Sequence, residues 1–392
     1  MHHSIKLPRR HGLSALLYRI LQSTGSFIRR NIVLTIAASL ALCTAVIVPP
    51  DIEYLTYFDT RTLTCLFCTL AMVCALRNIR FFTCIAEKIV AVTKNLRLSV
   101  LALVYITFLG SMLIANDMAL LTFLPLGYIV LHATGKEKYM AFVFILQNIA
   151  ANLGGMLTPF GNPQNLFLYS YFQIPTADFM GVMLIPFLLS VMMITVCCLF
   201  FPKEVLTIDT SGIRLPAGRT AVYLLLFAFS IAIVFRFIPY WTGLILIPLA
   251  LLFMDRNALA QVDYPLLFTF VSFFIFSGNM SRIPLVQDFM ASLLSKSVLT
   301  VSTISCQFIS NVPSAILLAR FTDNWQELLL GVNIGGAGTI IASLASLITF
   351  REYMTHNPGK AGSYMAKFSL VNFAFLGILL AACLLLVRLG LV

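Results

Sequence analysis

The chain has 392 residues, 60% of them hydrophobic and only 10% charged, against roughly 45–50% and 25% in an average soluble domain. That balance excludes a water-soluble globular protein. The net charge of +11 is spread in short clusters between apolar runs rather than gathered on one polar face, so no nucleic-acid partner is expected.

Residues 1–30 are basic and mildly amphipathic, with no evident cleavable signal peptide, and read as a cytoplasmic tail lying on the lipid surface. Beyond them the apolar runs repeatedly reach the roughly 17–25 residues that a helix needs to cross a bilayer, which predicts an all-α membrane protein. Residues 31–201 form a first membrane repeat, with spans near 31–49, 61–77, 139–157 and 179–201 and a hairpin at 98–134. Residues 202–239 supply a connecting loop and one helix, 218–236. Residues 240–392 form a second repeat, inverted relative to the first, with spans near 240–254, 263–279, 326–346 and 366–388 and a hairpin at 298–321. Two short segments, Phe81–Lys94 and Leu285–Leu294, are expected on the cytoplasmic and outer surfaces.

Placing the N-terminus in the cytoplasm and the C-terminus outside leaves only Arg61, Arg236, Arg282, Lys296, Arg320 and Arg388 outside, so 20 of the 26 Lys and Arg residues face the cytoplasm. The 26 residues between Lys296 and Asp323 are too few for two crossings, so that segment must turn back within the membrane. The 38 residues between Arg97 and Lys136 could just make two short crossings, and re-entry there rests on the repeat.

The repeat itself is carried by a motif. Asn152-Leu-Gly154-Gly155-Met-Leu-Thr158 and Asn333-Ile-Gly335-Gly336-Ala-Gly-Thr339 share the pattern N-x-G-G-x-x-T, and each follows an Asn-bearing break, Ala115-Asn116-Asp117 or Ser310-Asn311-Val312. A helix interrupted at membrane depth leaves N–H and C=O groups that hydrocarbon cannot satisfy, so such breaks line a protein or water cavity. Freed amides attract anions, and freed carbonyls and side-chain oxygens suit Na⁺. Asp117 is the one acidic residue deep within an apolar segment, which gives it an ion-coupling or proton-carrying reading. Blander roles stand beside these: helix capping for Asn116, Asn311 and Asp117, and close packing for Gly331, Ser343, Ala345 and Ser346. Thr122 and Asn148 could simply bond across helices, and His132 reads as solvated. Cys65-x-x-Cys68 has zinc spacing without a second ligand pair.

The segments Ala115–Pro125, Thr158-Pro-Phe-Gly-Asn162-Pro-Gln-Asn165, Ser310–Ala315 and Gly331–Thr339 resemble the signature segments of the ion transporter superfamily, which includes divalent anion:sodium symporters, citrate permeases, arsenite permeases and a Na⁺/H⁺ antiporter branch. The resemblance covers roughly residues 60–350. It implies an elevator-type carrier, commonly a homodimer, in which both hairpin tips and both unwound helices hold the cargo. That maps a substrate and ion site onto Asn116, Asp117, Gly154, Gly155, Thr158, Asn162, Asn165, Ser310, Asn311, Asn333, Gly335, Gly336 and Thr339, with any coupling Na⁺ near Asn116, Asp117 and Asn311. The dicarboxylate symporters carry Ser-Asn-Thr at both tips. Asp117 departs from this toward the arsenite and antiporter branches, whereas Gly161-Asn-Pro-Gln-Asn165 resembles the anion permeases.

The expectation is therefore a non-enzymatic secondary transporter in a bacterial-type inner membrane. It would move a small anion, a carboxylate foremost, coupled to Na⁺ or H⁺ and with no other cofactor. The alternative is efflux of arsenite or another inorganic ion, or Na⁺/H⁺ antiport. No His-Glu-x-x-His, G-x-S-x-G or phosphate-loop pattern occurs in the chain to support catalysis or ATP-driven pumping.

Overall fold

The computed structural model describes residue 28, residues 31–205 and residues 212–391; the amphipathic tail predicted for residues 1–30 falls almost wholly outside them. Among the described residues the chain is helical throughout, apart from short 3₁₀ turns and one isolated bridge between Asn95 and Val205. It is an all-α membrane protein, with seven helices among the described residues long and apolar enough to cross a bilayer, or eight if one bent pair counts as a span.

In chain order the first half comprises α1 (Ile32–Ile47), α2 (Thr60–Asn78), α3 (Phe81–Ala91), the pair α4 (Leu96–Ile114) and α5 (Asn116–Ala133), the interrupted pair α6 (Met140–Gly154) and α7 (Pro163–Tyr171), and α8 (Thr176–Leu199). Helix α9 (Ala217–Val234) connects it to the second half. There the sequence of parts recurs: α10 (Tyr240–Met254), a short α11 (Arg256–Ala260), α12 (Tyr264–Met280), α13 (Pro284–Leu294), the pair α14 (Val298–Ile309) and α15 (Asn311–Leu318), the interrupted pair α16 (Trp325–Ile334) and α17 (Leu344–His356), and α18 (Ala361–Arg388).

Local chemistry sets the boundaries. Side-chain oxygens of Asp59, Asn95, Asp263, Ser297 and Asn324 accept backbone N–H groups at the starts of α2, α4, α12, α14 and α16, satisfying donors that a helix N-terminus leaves unpaired. Helix α13 leaves α12 at 97°, which suits a short amphipathic segment lying along a surface.

Two boundaries differ from the sequence reading. The run expected as one span at 326–346 is two helices, and the second continues to His356 because the polar Arg351, Glu352 and His356 end a helix that still buries Ala345, Ser346, Thr349 and Tyr353. The last span begins at Ala361 rather than near 366.

Packing separates two cores. One gathers α4, α6, α7, α8, α14–α18 and parts of α1 and α12; the other gathers α3, α10 and most of α2 and α9, and α5 lends residues to both, Leu120 and Leu124 to the first and Met118 and Phe123 to the second. Helices α1 and α12 run against each other, and α2 lies against both α9 and α10, which makes a continuous frame beside the interrupted helices. On one surface Lys136 pairs with Glu204, and Arg97 Nε donates to Phe201 O at 2.7 Å, which ties the base of the first hairpin to the segment after α8. Elsewhere Arg282 pairs with Asp51 at 2.7 Å and Glu53 at 3.4 Å.

Candidate functional site

The two helix pairs turn in the same way. Ala115 (φ 63°, ψ 154°) and Ser310 (φ 75°, ψ 159°) are single-residue corners in a region that only glycine adopts without strain, at a cost of order 1–3 kcal/mol each. In both, the following Asn folds its side chain back: Asn116 Oδ1 accepts from Asp117 N at 3.0 Å, and Asn311 Oδ1 from Val312 N at 2.9 Å. Three residues before each corner a main-chain carbonyl accepts a threonine hydroxyl from the interrupted helix, Thr158 Oγ1 to Met112 O at 3.1 Å and Thr339 Oγ1 to Gln307 O at 2.9 Å. The N-x-G-G-x-x-T repeat is therefore a repeat of contacts: in each half the Thr fastens the glycine break to the approaching hairpin.

The glycine pairs make this closeness possible. A Cβ on Gly154 would lie 2.2 Å from Phe108 O, and one on Gly335 would lie 2.9 Å from the side chain of Cys306. A Cβ on Gly155 would strike Asn162 Oδ1 at 2.5 Å. Gly336 sits where the halves meet, its Cβ direction pointing to Asn311 Nδ2 and Asn152 Oδ1.

Amide side chains then knit the centre. Asn116 Nδ2 donates to Asn152 Oδ1 at 3.2 Å, Asn333 Nδ2 to Asn165 Oδ1 at 2.6 Å, and Asn148 Nδ2 to Ser346 Oγ at 3.3 Å. Asn162 Nδ2 donates to Asn152 O at 3.3 Å and reaches Asn333 Oδ1 at 3.5 Å. Asn165 Nδ2 faces the carbonyls of Gly155, Met156 and Thr158, so it holds the first break open in a fixed shape. Every one of these asparagines is buried. At the first corner and the first break three side-chain oxygens are buried and accept no hydrogen bond among the described residues: Asp117 Oδ1, Asn162 Oδ1 and Gln164 Oε1. Buried acceptors without protein donors suit a cation or a protonated ligand group.

All thirteen sequence-predicted positions lie at the two corners and the two breaks. The bonded asparagines place Asn116, Asn162, Asn165 and Asn333 in one network. Asn148 bonds across to Ser346, as the blander reading expected, whereas Thr122 bonds its own helix at Met118 O. His132 pairs with Glu137 and stacks on Tyr128 at an exposed end. Sequence reasoning passed over Gln307, the residue three positions ahead of the second corner, whose side-chain amide contacts the second break at Gly335 O, Ala337 O and Thr339 N, as Asn165 contacts the first at three carbonyls.

A cavity of about 670 Å³ opens away from these corners, at the ends of α7 and α15, lined by Tyr171, Gln173, Arg320 and Asp323. Arg320 stacks over Tyr57 and Tyr171 there and donates to Tyr57 O at 2.9 Å.

A sequence profile of the citrate transporter family matches residues 17–327, more than three quarters of the chain. The chain belongs to that family. The matched span runs through both hairpins and the first glycine break, and it agrees with the ion transporter resemblance of the motifs. Among curated relatives, an uncharacterized transporter of Methanocaldococcus jannaschii is 33% identical over 296 residues, covering 75% of this chain and 81% of the relative. The inner membrane protein YbiR of Escherichia coli is 28% identical over 281 residues, covering 69% and 74%. With its apolar helices, this membership makes the chain a multi-pass membrane transporter.

Proposed function

We propose that the chain is a cation-coupled secondary transporter of a small, citrate-like carboxylate in an inner membrane, working as a homodimer by an elevator motion. The carrying observation is that one buried amide network joins the first hairpin corner to both glycine breaks, with the second corner's Asn311 approaching it beside Gly336. Amide N–H donors and the freed N–H groups of the breaks can hold carboxylate oxygens, while Asp117 Oδ1, Asn162 Oδ1 and break carbonyls can hold the coupling ion. On this reading the halves are inserted in opposite orientation, and both hairpins dip into the membrane without crossing it. The hairpins and interrupted helices would move together past the frame of α1, α2, α9, α10 and α12. Arg320 at the open cavity would add positive potential on an anion's approach.

The test is uptake of labelled citrate and smaller dicarboxylates into proteoliposomes under imposed Na⁺ or proton gradients. Gradient-driven accumulation is expected. If no carboxylate accumulates under either gradient, and none raises the thermal stability of the purified protein, the reading fails.

Export of an inorganic ion or Na⁺/H⁺ antiport is the second reading, favoured by a carboxylate at one corner with an unpartnered buried oxygen. It predicts cation-driven proton movement without any carboxylate, abolished in Asp117→Asn; proton movement that persists in that variant counts against it.

A further inference from the structure

Arginines span the boundary between the hairpins and interrupted helices and the frame beside them. Among the described residues the side-chain hydrogen bonds that cross this boundary are donated by Arg236, Arg320 and Arg77. Arg236 follows α9, in the frame. Its Nη2 donates to Tyr169 O at 2.6 Å and its Nη1 to Gln173 O at 3.2 Å, and its guanidinium lies 4.3 Å from the centre of the Tyr169 ring. The frame thus supplies a cation and two donors to carbonyls at the C-terminal end of α7, where the helix dipole is negative. Arg320 does the reverse. It follows α15, and its Nη2 donates to Tyr57 O, in the frame loop between α1 and α2, at 2.9 Å. Its guanidinium lies over the rings of Tyr57 and Tyr171, at 5.7 and 5.4 Å. At the far end of α2 the crossing is weaker, because Arg77 Nη1 meets Met118 Sδ at 3.6 Å and a thioether is a poor acceptor.

The firm end is built to open. Neither Arg236 nor Arg320 has a carboxylate partner among the ion pairs of the described residues. Each leaves its Nε buried and without an acceptor, a hydrogen bond that water would restore on separation. Gln173 and Arg236, joined by their bond, both hold left-handed backbones, φ 50° and 67°, which side-chain-bearing residues resist. Opening the contact removes what holds both in place. It also reaches the site. Phe235, next to Arg236, packs edge-on against Phe160 at 5.6 Å, and Phe160 lies between Thr158 and Asn162 in the first break.

We propose that Arg236 and Arg320 form a reciprocal latch, an autoinhibitory contact that favours the described conformation and opens before the hairpins and interrupted helices can move. This rests on the elevator motion proposed above. Spin labels test it at Ala133→Cys, the end of α5, and Asn257→Cys, in α11 at the other end of α10 from Arg236; both positions are exposed. Cys43 and Cys197, the two cysteines that are not buried, are replaced by Ser. Pulsed dipolar spectroscopy in lipid nanodiscs, with and without Na⁺ and citrate, gives the ratio of the described conformation to a second one. Arg236→Gln and Arg320→Gln should each lower that ratio by about tenfold, and the double variant by more, since each removes bonds from a charged donor together with a ring contact. Arg256→Gln removes a guanidinium that donates to Leu252 O inside the frame and should leave the ratio unchanged.

A second distance whose share is the same in the wild type and the latch variants, or shrinks in them, overturns the latch and leaves the motion intact. A shift as large in Arg256→Gln overturns it as well. A single distance in every protein under every condition overturns the latch and the elevator motion together. Should a glutamine variant not fold, Arg236→Lys and Arg320→Lys decide: they keep the charge and lose the planar fork, so the ratio should still fall, and an unchanged ratio overturns the latch.

Discussion

The tightest backbone contact in the site gives the sharpest mutational test. In Gly154→Ala the new methyl would lie 2.2 Å from Phe108 O and 2.5 Å from Ser111 Oγ. The serine can rotate, but the carbonyl belongs to α4, so α4 and α6 must separate by about 1 Å to reach ordinary contact. Inserting a methyl into such packing costs about 1–3 kcal/mol, set against at most about 1 kcal/mol gained from alanine's better helix propensity. Gly181→Ala adds the same methyl on α8, where nothing lies within 4 Å, and isolates the propensity gain. Thermal unfolding of both detergent-purified variants, beside citrate uptake in proteoliposomes, makes the comparison. Gly154→Ala should unfold several degrees below Gly181→Ala and lose at least about tenfold in uptake, because the shift moves the first corner against Asn152. If the two variants unfold and transport alike, the close α4–α6 approach has no part in the site.

Three further outcomes are expected. Asn333→Ala removes the donor to Asn165 Oδ1, leaving that oxygen buried and unpaired; thermal unfolding should register a loss of about 1–3 kcal/mol and uptake should fall sharply. Ala115→Gly relieves the strained corner of the first hairpin; the protein should unfold at a slightly higher temperature, and an unchanged or lowered value would argue that the corner is unstrained. In the loop after α1, the hydrogen bond from Arg282 holds the Asp51 carboxyl below its usual range. A depressed carboxyl stabilises the fold at neutral pH and loses that contribution as pH falls through its folded value, below about pH 4. Wild type and Asp51→Asn should therefore differ in unfolding temperature at pH 7 and converge in acid.

Much of this was legible because the features are local. Glycine pairs mark the breaks, a lone Asn at each turn marks the corners, and a shared seven-residue pattern ties one half to the other. Apolar length located the spans, but it erred at α17, where Arg351 and Glu352 end the hydropathic signal while the helix continues another turn and a half. Gln307 escaped notice for a different reason. A lone glutamine in α14 looks like any polar residue tucked against a neighbouring helix, and its meaning depends on carbonyls about thirty residues later and on a glycine beside them. Asn165 is the counter-case. It stood within a motif, so its place was found, but its task of gathering three break carbonyls appears only once the chain is folded.

The struts that join the interrupted helices are all neutral: amide to amide, amide to hydroxyl, hydroxyl to carbonyl. Such bonds do not weaken with ionic strength, and no pH the cell can reach titrates them. On the elevator motion proposed above, a block held this way would pass between two compartments of different salt and acidity without loosening. Across both corners and both breaks a single side chain can gain or lose a proton, Asp117. On the proposed coupling, the composition of either compartment would reach the centre of the protein through one oxygen pair, held among bonds that neither salt nor acid loosens.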